Sequence, residues 1–387
     1  MSDNIPPSTP QKPVSSFAGR YRLPLLAFFL SRIWTALFVY LGHMQHPYLS
    51  PVPGGWEGVK NWWLNPWTTF DSQHFLDIAL HGYNAKNAVF FPLYPFLLKL
   101  AGQDVLLMAA WGVVISNLAF LGALIVFHRL TGQEYSQKVA DWSIWLLAFF
   151  PTSAYFSAVY TDALFLLFFV SCFWCVRNKQ WGWVAVWATL ASLTRNLGPL
   201  IFLALAYEWW QARKTEDSHD KAPLWALLAV FAPLVALTFA QGYASWQAGK
   251  LFSGVVSQTE YYRALMWPWM PIWLDIKALF NGFNIFLWLH LSATISVFLL
   301  VYRHRLRFSY LIMMVGLMLM HLTLGHSIVP HTLPSARYLS TMFPYVQLLA
   351  IEASWFSSPR LRMIFMICWL LLAAIVSLSF GQKGFVG

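Results

Sequence analysis

Apolar runs of roughly 20 residues recur along almost the whole chain, separated by short polar and often basic segments. A helix of that length crosses the ~30 Å hydrocarbon layer of a bilayer. The pattern therefore predicts an all-α polytopic membrane protein with about 10–11 transmembrane helices. Nine spans are predicted directly, at about 23–43, 104–128, 139–156, 159–176, 223–246, 283–302, 308–326, 338–356 and 363–380.

The segment 181–210 is apolar but carries Arg195, Asn196 and Gly198 at its centre. Basic residues flank it on both sides, and short loops rich in Lys and Arg are usually cytoplasmic. If both flanks are cytoplasmic, the chain must enter the membrane and return. Broken backbone at membrane depth is tolerated only where it is buried or lines a cavity. We therefore predict two half-spans with a turn near Arg195, in a cavity on the outer side.

Outside the spans, the polar and Pro/Ser-rich first 22 residues predict a disordered cytoplasmic tail, and residues 23–387 a single transmembrane domain. Two longer Trp- and Pro-rich segments are predicted to face outward, and parts of the first are expected to form helices in the membrane interface. The outer segments are about 44–103 and 247–282, and the interfacial helices about 70–81 and 87–100.

Composition supports a bilayer as the solvent, because 58% of the residues are hydrophobic and only 10% are charged, against about 25% charged in soluble domains. With the N-terminus inside, fifteen of the 25 basic residues fall on the cytoplasmic side, nine outside, and Arg32 within the first span. The net charge of +10 then reflects membrane orientation and not nucleic-acid binding. The three cysteines form neither a disulfide framework nor a zinc-ligand spacing.

The first outer segment holds an acidic helix motif, FDSQHFLDIALHGY over residues 70–83. On a helix that begins near Asp71, His74 and Phe75 share its face. Asp71 has two interpretations that the sequence leaves open. It caps the helix, or it is a catalytic carboxylate.

Three more charged residues are predicted near the outer membrane surface. Asp162, at the mouth of a span, either caps that helix or belongs to a site, because an acid at the edge of hydrocarbon is costly. Arg195 and Arg337 suit a phosphate, which a guanidinium binds through two hydrogen bonds. The alternative for both is a salt bridge to Asp71 or Asp162. Arg32 is interpreted as structural or snorkelling.

Four motifs together resemble the PIG-V family, the GPI mannosyltransferase 2 proteins and their bacterial relatives. The stretch 70–95, which ends in FFPLYP, resembles the family signature W-D-x-x-H-[FY]-L-x-I-A-x-x-G-Y … F-F-P-L-Y-P. The sequences YTDALF at 160–165, SLTRNLG at 192–198 and SARYLSTMFP at 335–344 resemble three further blocks in the same order. Phe70 replaces the usual Trp and Asp162 the usual Glu, but the acid at position 71 is kept.

The resemblance implies a GT-C fold glycosyltransferase that takes a sugar, in this family mannose, from a polyprenyl phosphate donor on the outer side of a membrane. We expect Asp71 to act as the base of an inverting displacement, with no obligatory metal or other cofactor. Arg195 and Arg337 would bind the donor phosphate, and Asp162 would orient the sugar or Arg195. The further substrate-binding candidates are His74, Tyr94 and Tyr338.

The acceptor is expected to be a glycolipid, a glycan or a protein, and the location a bacterial inner or cell membrane with the site facing outward. The main alternative is a transporter or flippase of a polyprenyl-linked sugar, which would show repeated broken spans in both halves of the chain. A membrane acyltransferase would need a buried catalytic histidine, for which His321 is the candidate. A scaffold subunit would leave the acids and arginines of one face unexplained.

Overall fold

The computed structural model describes residues 17–45, 59–214, 221–254, 256, 263–280, 285–304, 306–326 and 335–382. Helices dominate this part of the chain, which confirms the predicted all-α class. The β-structure in the described residues is one short antiparallel pair, in which β1 (Arg263–Leu265) pairs with β2 (Leu324–His326). The predicted tail falls largely on residues 1–16, which lie outside the described residues.

The helices follow the apolar runs in chain order. They are α1 Phe17–Gln45, α2 Asp71–His81, α3 Leu93–Lys99, α4 Val105–Glu134, α5 Gln137–Ala148, α6 Asp162–Arg177, α7 Trp181–Thr194, α8 Gly198–Lys214, α9 Leu227–Gln247, α10 Trp269–Leu279, α11 Ile285–Arg303, α12 Phe308–Thr323, α13 Ser335–Thr341, α14 Phe343–Trp355 and α15 Pro359–Gly381. Short 3₁₀ turns lie at Asn65–Thr68, Ser153–Phe156 and Leu224–Ala226.

Four helical stretches in the described residues are long and apolar enough to cross a membrane on their own: Tyr21–Gln45, Val105–Glu134, Leu224–Gln247 and Pro359–Gly381. The others are shorter, including apolar helices at Leu291–Arg303 and Phe308–Met320. The chain is therefore an integral membrane protein. The count of about 10–11 complete spans remains a prediction.

The break predicted near Arg195 is confirmed. α7 ends at Thr194, Arg195 is extended with φ −150° and ψ 157°, and α8 begins at Gly198. A Cβ atom on Gly198 would lie 2.6 Å from Oγ and 2.9 Å from Cβ of Ser192, so any larger residue at position 198 would push Ser192 or the backbone aside.

Three predicted helices were too long. The span predicted at 139–156 is wrong in its second half, because α5 ends at Ala148 and Pro151 removes a backbone donor. We call residues 149–161, which are irregular apart from one 3₁₀ turn, the α5–α6 connection. The span at 338–356 is divided between α13 and α14, with Pro344 at the start of α14. The helix predicted at 87–100 is limited to α3.

The core is centred on α6, which packs between α4 and α7. α6 is apolar on all sides, and a helix of that kind is stable only when other helices surround it. α1 and α15 pack closely through Gly42 and Gly381, where added Cβ atoms would lie about 2 Å from carbonyl oxygens of the opposite helix. The fold thereby fixes the start of α6 and the connection that leads into it.

Candidate active site

Asp71 is the first residue of α2 and follows a strained turn. Phe70 has φ 54° and ψ −121°, a conformation that costs a bulky residue free energy and is kept only where the surroundings enforce it. The Tyr160 hydroxyl accepts a hydrogen bond from the Asp71 backbone N–H at 3.2 Å and donates one to the Thr69 carbonyl at 3.0 Å. Tyr160 therefore links the two sides of the strained residue and fixes where Asp71 begins the helix.

The Asp71 carboxylate is paired with Arg337 from α13. Nη1 of Arg337 donates to Oδ2 of Asp71 at 2.8 Å. The same guanidinium donates to both oxygens of Asp162, at 2.9 Å from Nη2 and 3.2 Å from Nε. Nη1 of Arg195 donates to Oδ1 of Asp162 at 2.6 Å. Four residues predicted from four separate motifs thus form one continuous ion network, which we call the Asp71 cluster.

The members of the Asp71 cluster differ in exposure. The Asp162 side chain is 0% exposed and those of Arg195 and Arg337 are nearly buried, whereas the Asp71 side chain is 30% exposed. The two acids and two arginines balance in charge. Because ion pairs are stronger away from water, the three buried members form a rigid support, and the Asp71 carboxylate is the most exposed part of the cluster.

Aromatic rings enclose the arginines. The Arg337 guanidinium lies 4.7 Å from the ring centre of Tyr155 and 4.6 Å from that of Tyr160, and Arg195 lies 4.6 Å from the ring of Tyr338. Such contacts stabilise a desolvated cation. Tyr155 and Tyr160 were not among the site residues predicted from the sequence. The signal for Tyr160 was present, since it lies two residues before Asp162 in YTDALF.

Two other predicted substrate-binding residues, His74 and Tyr94, lie in different surroundings. The His74 ring stacks on Phe90 at 4.8 Å, on the helix that presents Asp71. Burial lowers the pKa of His74, against the opposing effect of Asp71 and Asp77, and so favours an uncharged ring. Tyr94, by contrast, is fully buried, and its hydroxyl donates to the Gly112 carbonyl at 3.0 Å. Tyr94 therefore holds α3 against α4, and its contact with a substrate stays a prediction.

Asp77, six residues after Asp71, belongs to a different set of contacts. One of its oxygens accepts from Nδ2 of Asn87 at 3.0 Å and the other lies 2.9 Å from Nδ1 of His81. Both partners lie at or beyond the C-terminal end of α2. Asp77 thus supports the turn after the helix and takes no part in the Asp71 cluster.

An apolar cavity of about 280 Å³ lies beside the C-terminal half of α2. Residues from α2, α3, α7 and α9 line it, among them Ile78, Phe96, Leu193, Phe239 and Tyr243. Ile78 is about 10 Å along the helix axis from Asp71, and Leu193 precedes Arg195 by two residues. The cavity therefore adjoins two of the helices, α2 and α7, that lead to the Asp71 cluster. Nowhere in the described part of the chain do three His, Cys, Asp or Glu side chains form a group that could hold a metal ion.

Similar proteins were found by sequence and by structure. A GPI mannosyltransferase 2 from Drosophila pseudoobscura pseudoobscura is 27% identical over 121 residues, which is 28% of this chain and 25% of that protein. One from Cryptococcus neoformans is 28% identical over 127 residues, 30% of each chain. The matched stretch thus spans less than a third of the length of these relatives.

Among solved structures, an Archaeoglobus fulgidus oligosaccharyltransferase in complex with zinc and sulfate aligns with a TM-score of 0.45 and 13% identity, over 93% of this chain and 53% of that one. A form of the archaeal enzyme bound to an inhibitory peptide and a dolichol-phosphate aligns with a TM-score of 0.43. The family described as Mannosyltransferase (PIG-V) matches residues 22–247, which include the strained Asp71 turn, Asp162 and the Arg195 break. The chain belongs to this PIG-V mannosyltransferase family.

Proposed function

We propose that this protein is a membrane mannosyltransferase that moves a mannosyl group from a polyprenyl phosphate donor to an acceptor hydroxyl, with inversion. The observation that carries the proposal is the partly exposed Asp71 carboxylate, held at 2.8 Å by a buried arginine. A general base must reach the proton that it removes and be fixed in orientation. The exposure of Asp71 and its hydrogen bond from Arg337 support both requirements, and family membership supports the sugar.

The proposed reaction is a single displacement. The acceptor hydroxyl donates its proton to the Asp71 carboxylate while its oxygen forms the new bond to the anomeric carbon. The bond from that carbon to the phosphate oxygen breaks, and its electron pair leaves on polyprenyl phosphate. Asp71 later releases the proton to water. Arg337 keeps the carboxylate pointed at the acceptor through its hydrogen bond to Oδ2.

The arginines would stabilise the negative charge on the leaving phosphate. Arg337 already donates to Asp71 and Asp162 through all three of its guanidinium nitrogens, so its main role would be to position Asp71. Arg195 donates to Asp162 through Nη1, and we assign it the closer contact with phosphate. Asp162, fully buried between the two, would orient the arginines and not the sugar.

The apolar cavity beside α2 suits the hydrocarbon chain of the donor. Its wall includes Phe239 on α9, a helix that is itself long and apolar enough to cross the membrane. Phe239 and Val235 on that helix are well exposed, as expected of side chains in contact with lipid. A chain entering from the bilayer would pass along α2 toward Asp71. His74 and Tyr338, both at the cluster, remain the candidates for contact with the sugar.

Basic residues favour a site on the outer side. Arg177 ends α6, Arg213 and Lys214 end α8, and Arg303 ends α11. Asp162 begins α6, so the Asp71 cluster lies at the end of that helix opposite Arg177. By the rule that cytoplasmic loops concentrate Lys and Arg, the site would face outward. Glycolipids, glycans or proteins on that side are the proposed acceptors.

The proposal is tested with purified protein in lipid vesicles, labelled polyprenyl-phosphate mannose and a native lipid extract. We expect time-dependent appearance of label in a new product and release of polyprenyl phosphate. Movement of the intact labelled donor between leaflets, without release of polyprenyl phosphate, would instead identify a flippase. Absence of both would contradict the proposal.

A further inference from the structure

Arg32 lies in the middle of α1, at a depth where a charged side chain is costly and usually has a specific task. Among the described residues no carboxylate forms an ion pair with it. Its guanidinium donates instead to the carbonyl of Ala148 at 3.1 Å, the carbonyl of Ser153 at 3.0 Å and the hydroxyl of Ser157 at 2.9 Å. All three partners belong to one stretch of chain.

That stretch is the end of α5 and the α5–α6 connection. Ala148 is the last residue of α5, and the final carbonyls of a helix lack partners within it and carry partial negative charge. A guanidinium there satisfies an otherwise unpaired carbonyl. Ser153 begins the 3₁₀ turn and Ser157 follows it. Arg32 therefore holds the end of α5 and two points of the α5–α6 connection to a single point on α1.

A ring stack strengthens the same attachment. The Arg32 guanidinium lies 4.6 Å from the ring centre of Phe120 on α4, and Phe120 stacks on Phe156 of the 3₁₀ turn with centroids 4.5 Å apart and planes 9° from parallel. Ser157 also donates to Asn117 on α4 at 2.9 Å. The connection is thus fixed between α1 and α4 by contacts that centre on Arg32.

The α5–α6 connection carries the rings that enclose Arg337. Tyr155 and Tyr160 lie at 4.7 and 4.6 Å from that guanidinium, and the Tyr160 hydroxyl holds the strained turn before Asp71. Asp162 follows the connection directly. We infer that Arg32 is a positioning residue of the site: by fixing the α5–α6 connection, it sets the place of Arg337 and of the Asp71 carboxylate. The predicted loss of kcat rests on the proposed transfer reaction. The predicted change in the order of the α5–α6 connection does not.

The structural consequence is measured by hydrogen–deuterium exchange of the vesicle-embedded protein. In Arg32→Gln we expect faster exchange in peptides covering 149–161 and 66–74, and unchanged exchange in α9. Arg129→Gln is the matched control, because Arg129 lies on the neighbouring α4 and contacts Tyr21, away from the connection. Unchanged exchange at 66–74 in Arg32→Gln would overturn the inference even if the protein proved to have no transferase activity.

The kinetic consequence separates positioning from general stability. Arg32→Gln should lower kcat at least tenfold and change the donor KM less than threefold. Arg32→Lys should recover part of kcat, since its single nitrogen cannot take the places of both Nη1 and Nη2. Ser157→Ala, which leaves the charge in place, should show a smaller loss of kcat. Should Arg32→Gln fail to fold, Arg32→Lys and Ser157→Ala carry the same test. A kcat within twofold of the parent in folded Arg32→Gln would overturn the inference. If Arg32→Gln does not fold, a kcat within twofold of the parent in both Arg32→Lys and Ser157→Ala, measured per folded protein, would overturn it.

Discussion

Two ion networks lie at opposite ends of α6, about 22 Å apart by the rise of the helix. They differ in the solvent exposure of their carboxylates. The first is the Asp71 cluster, which includes Asp162 at the start of the helix. The second consists of Glu134, Arg177 and Glu208, and we call it the Glu134 cluster; Arg177 is the last residue of α6. Arg177 donates to Glu134 at 2.6 Å and to Glu208 at 2.7 Å.

The Glu134 cluster is closed. Tyr310 donates to Glu134 at 2.6 Å and Gln347 at 3.0 Å, and Ser309 donates to Glu208. The Glu134 side chain is 2% exposed, against 30% for Asp71. Its backbone is regular helix, whereas Asp71 follows a strained residue. Buried, paired charges are therefore common to both networks. An accessible carboxylate on an enforced backbone is the feature that separates the two networks.

The largest effect is expected from Asp71→Asn. Asn keeps the shape of the side chain and part of its hydrogen bonding with Arg337. Its amide, however, cannot take up the proton of the acceptor hydroxyl. General-base catalysis contributes about 10²–10⁴-fold, so transfer should fall by that factor while the donor still binds. The measurement is transfer rate per folded protein in vesicles. Asp77→Asn on the same helix should stay within threefold of the parent, and an equal loss in both variants would point to helix damage instead.

Arg195→Ala should weaken use of the donor by about 10- to 100-fold, because loss of a hydrogen bond from a charged donor costs about 1.5–3 kcal/mol. The loss should appear in kcat/KM for polyprenyl-phosphate mannose, and Arg195→Lys should restore only part of it since the forked geometry is absent. Arg213→Ala is the control at the far end of α8, where Arg213 contacts the Ala222 carbonyl. Full activity of Arg195→Ala would refute the phosphate role.

Glu134→Gln should affect the other network and separate stability from catalysis. Removing this charge weakens its bonds with Arg177 and Tyr310, a cost of about 1–3 kcal/mol in the free energy of unfolding. We expect a lower Tm by thermal unfolding and an unchanged kcat for the protein that remains folded. A drop in kcat of the kind predicted for Asp71→Asn would show that the closed cluster also takes part in transfer.

Tyr160→Phe should have the smallest free-energy cost. It removes the hydroxyl that links Thr69 to the Asp71 amide but keeps the ring beside Arg337, at a cost of about 0.5–1.5 kcal/mol. We expect a two- to tenfold lower kcat with little change in donor KM. Tyr155→Phe is the matched control, because the Tyr155 hydroxyl has no hydrogen-bond partner among the described residues. Equal effects of the two substitutions would remove the proposed role of the Tyr160 hydroxyl.

The sequence predicted the helical class, the broken segment at Arg195 and the four charged residues that meet in the Asp71 cluster. These features depend on local patterns: apolar runs, a glycine beside an arginine, and acids at helix starts. Tyr94 shows what local patterns cannot predict. The sequence of a motif does not reveal whether a tyrosine hydroxyl faces a substrate or, as in Tyr94, a buried backbone carbonyl. The α5–α6 connection is a second example, because its many aromatic and apolar residues continue the pattern of the helices on both sides although Pro151 ends the first of them.

The contacts of Arg32 are the clearest example of a feature that the sequence could not predict. An arginine within an apolar span is equally compatible with snorkelling toward the interface and with a fixed internal role. The carbonyls that it contacts are more than 110 residues away along the chain. Partners of that kind are backbone atoms without a sequence signature, and only the packing of α1 against the α5–α6 connection reveals them.

Whether Asp71 acts as a base or as a nucleophile is decided by the anomeric configuration of the product. A single displacement assisted by Asp71 inverts the configuration at the sugar carbon, whereas a covalent sugar–Asp71 intermediate, followed by a second displacement, retains it. The measurement is the anomeric signal of the purified product by NMR, beside that of the polyprenyl-phosphate mannose supplied. We predict inversion. Retention would contradict the assignment of Asp71 as the base that activates the acceptor hydroxyl.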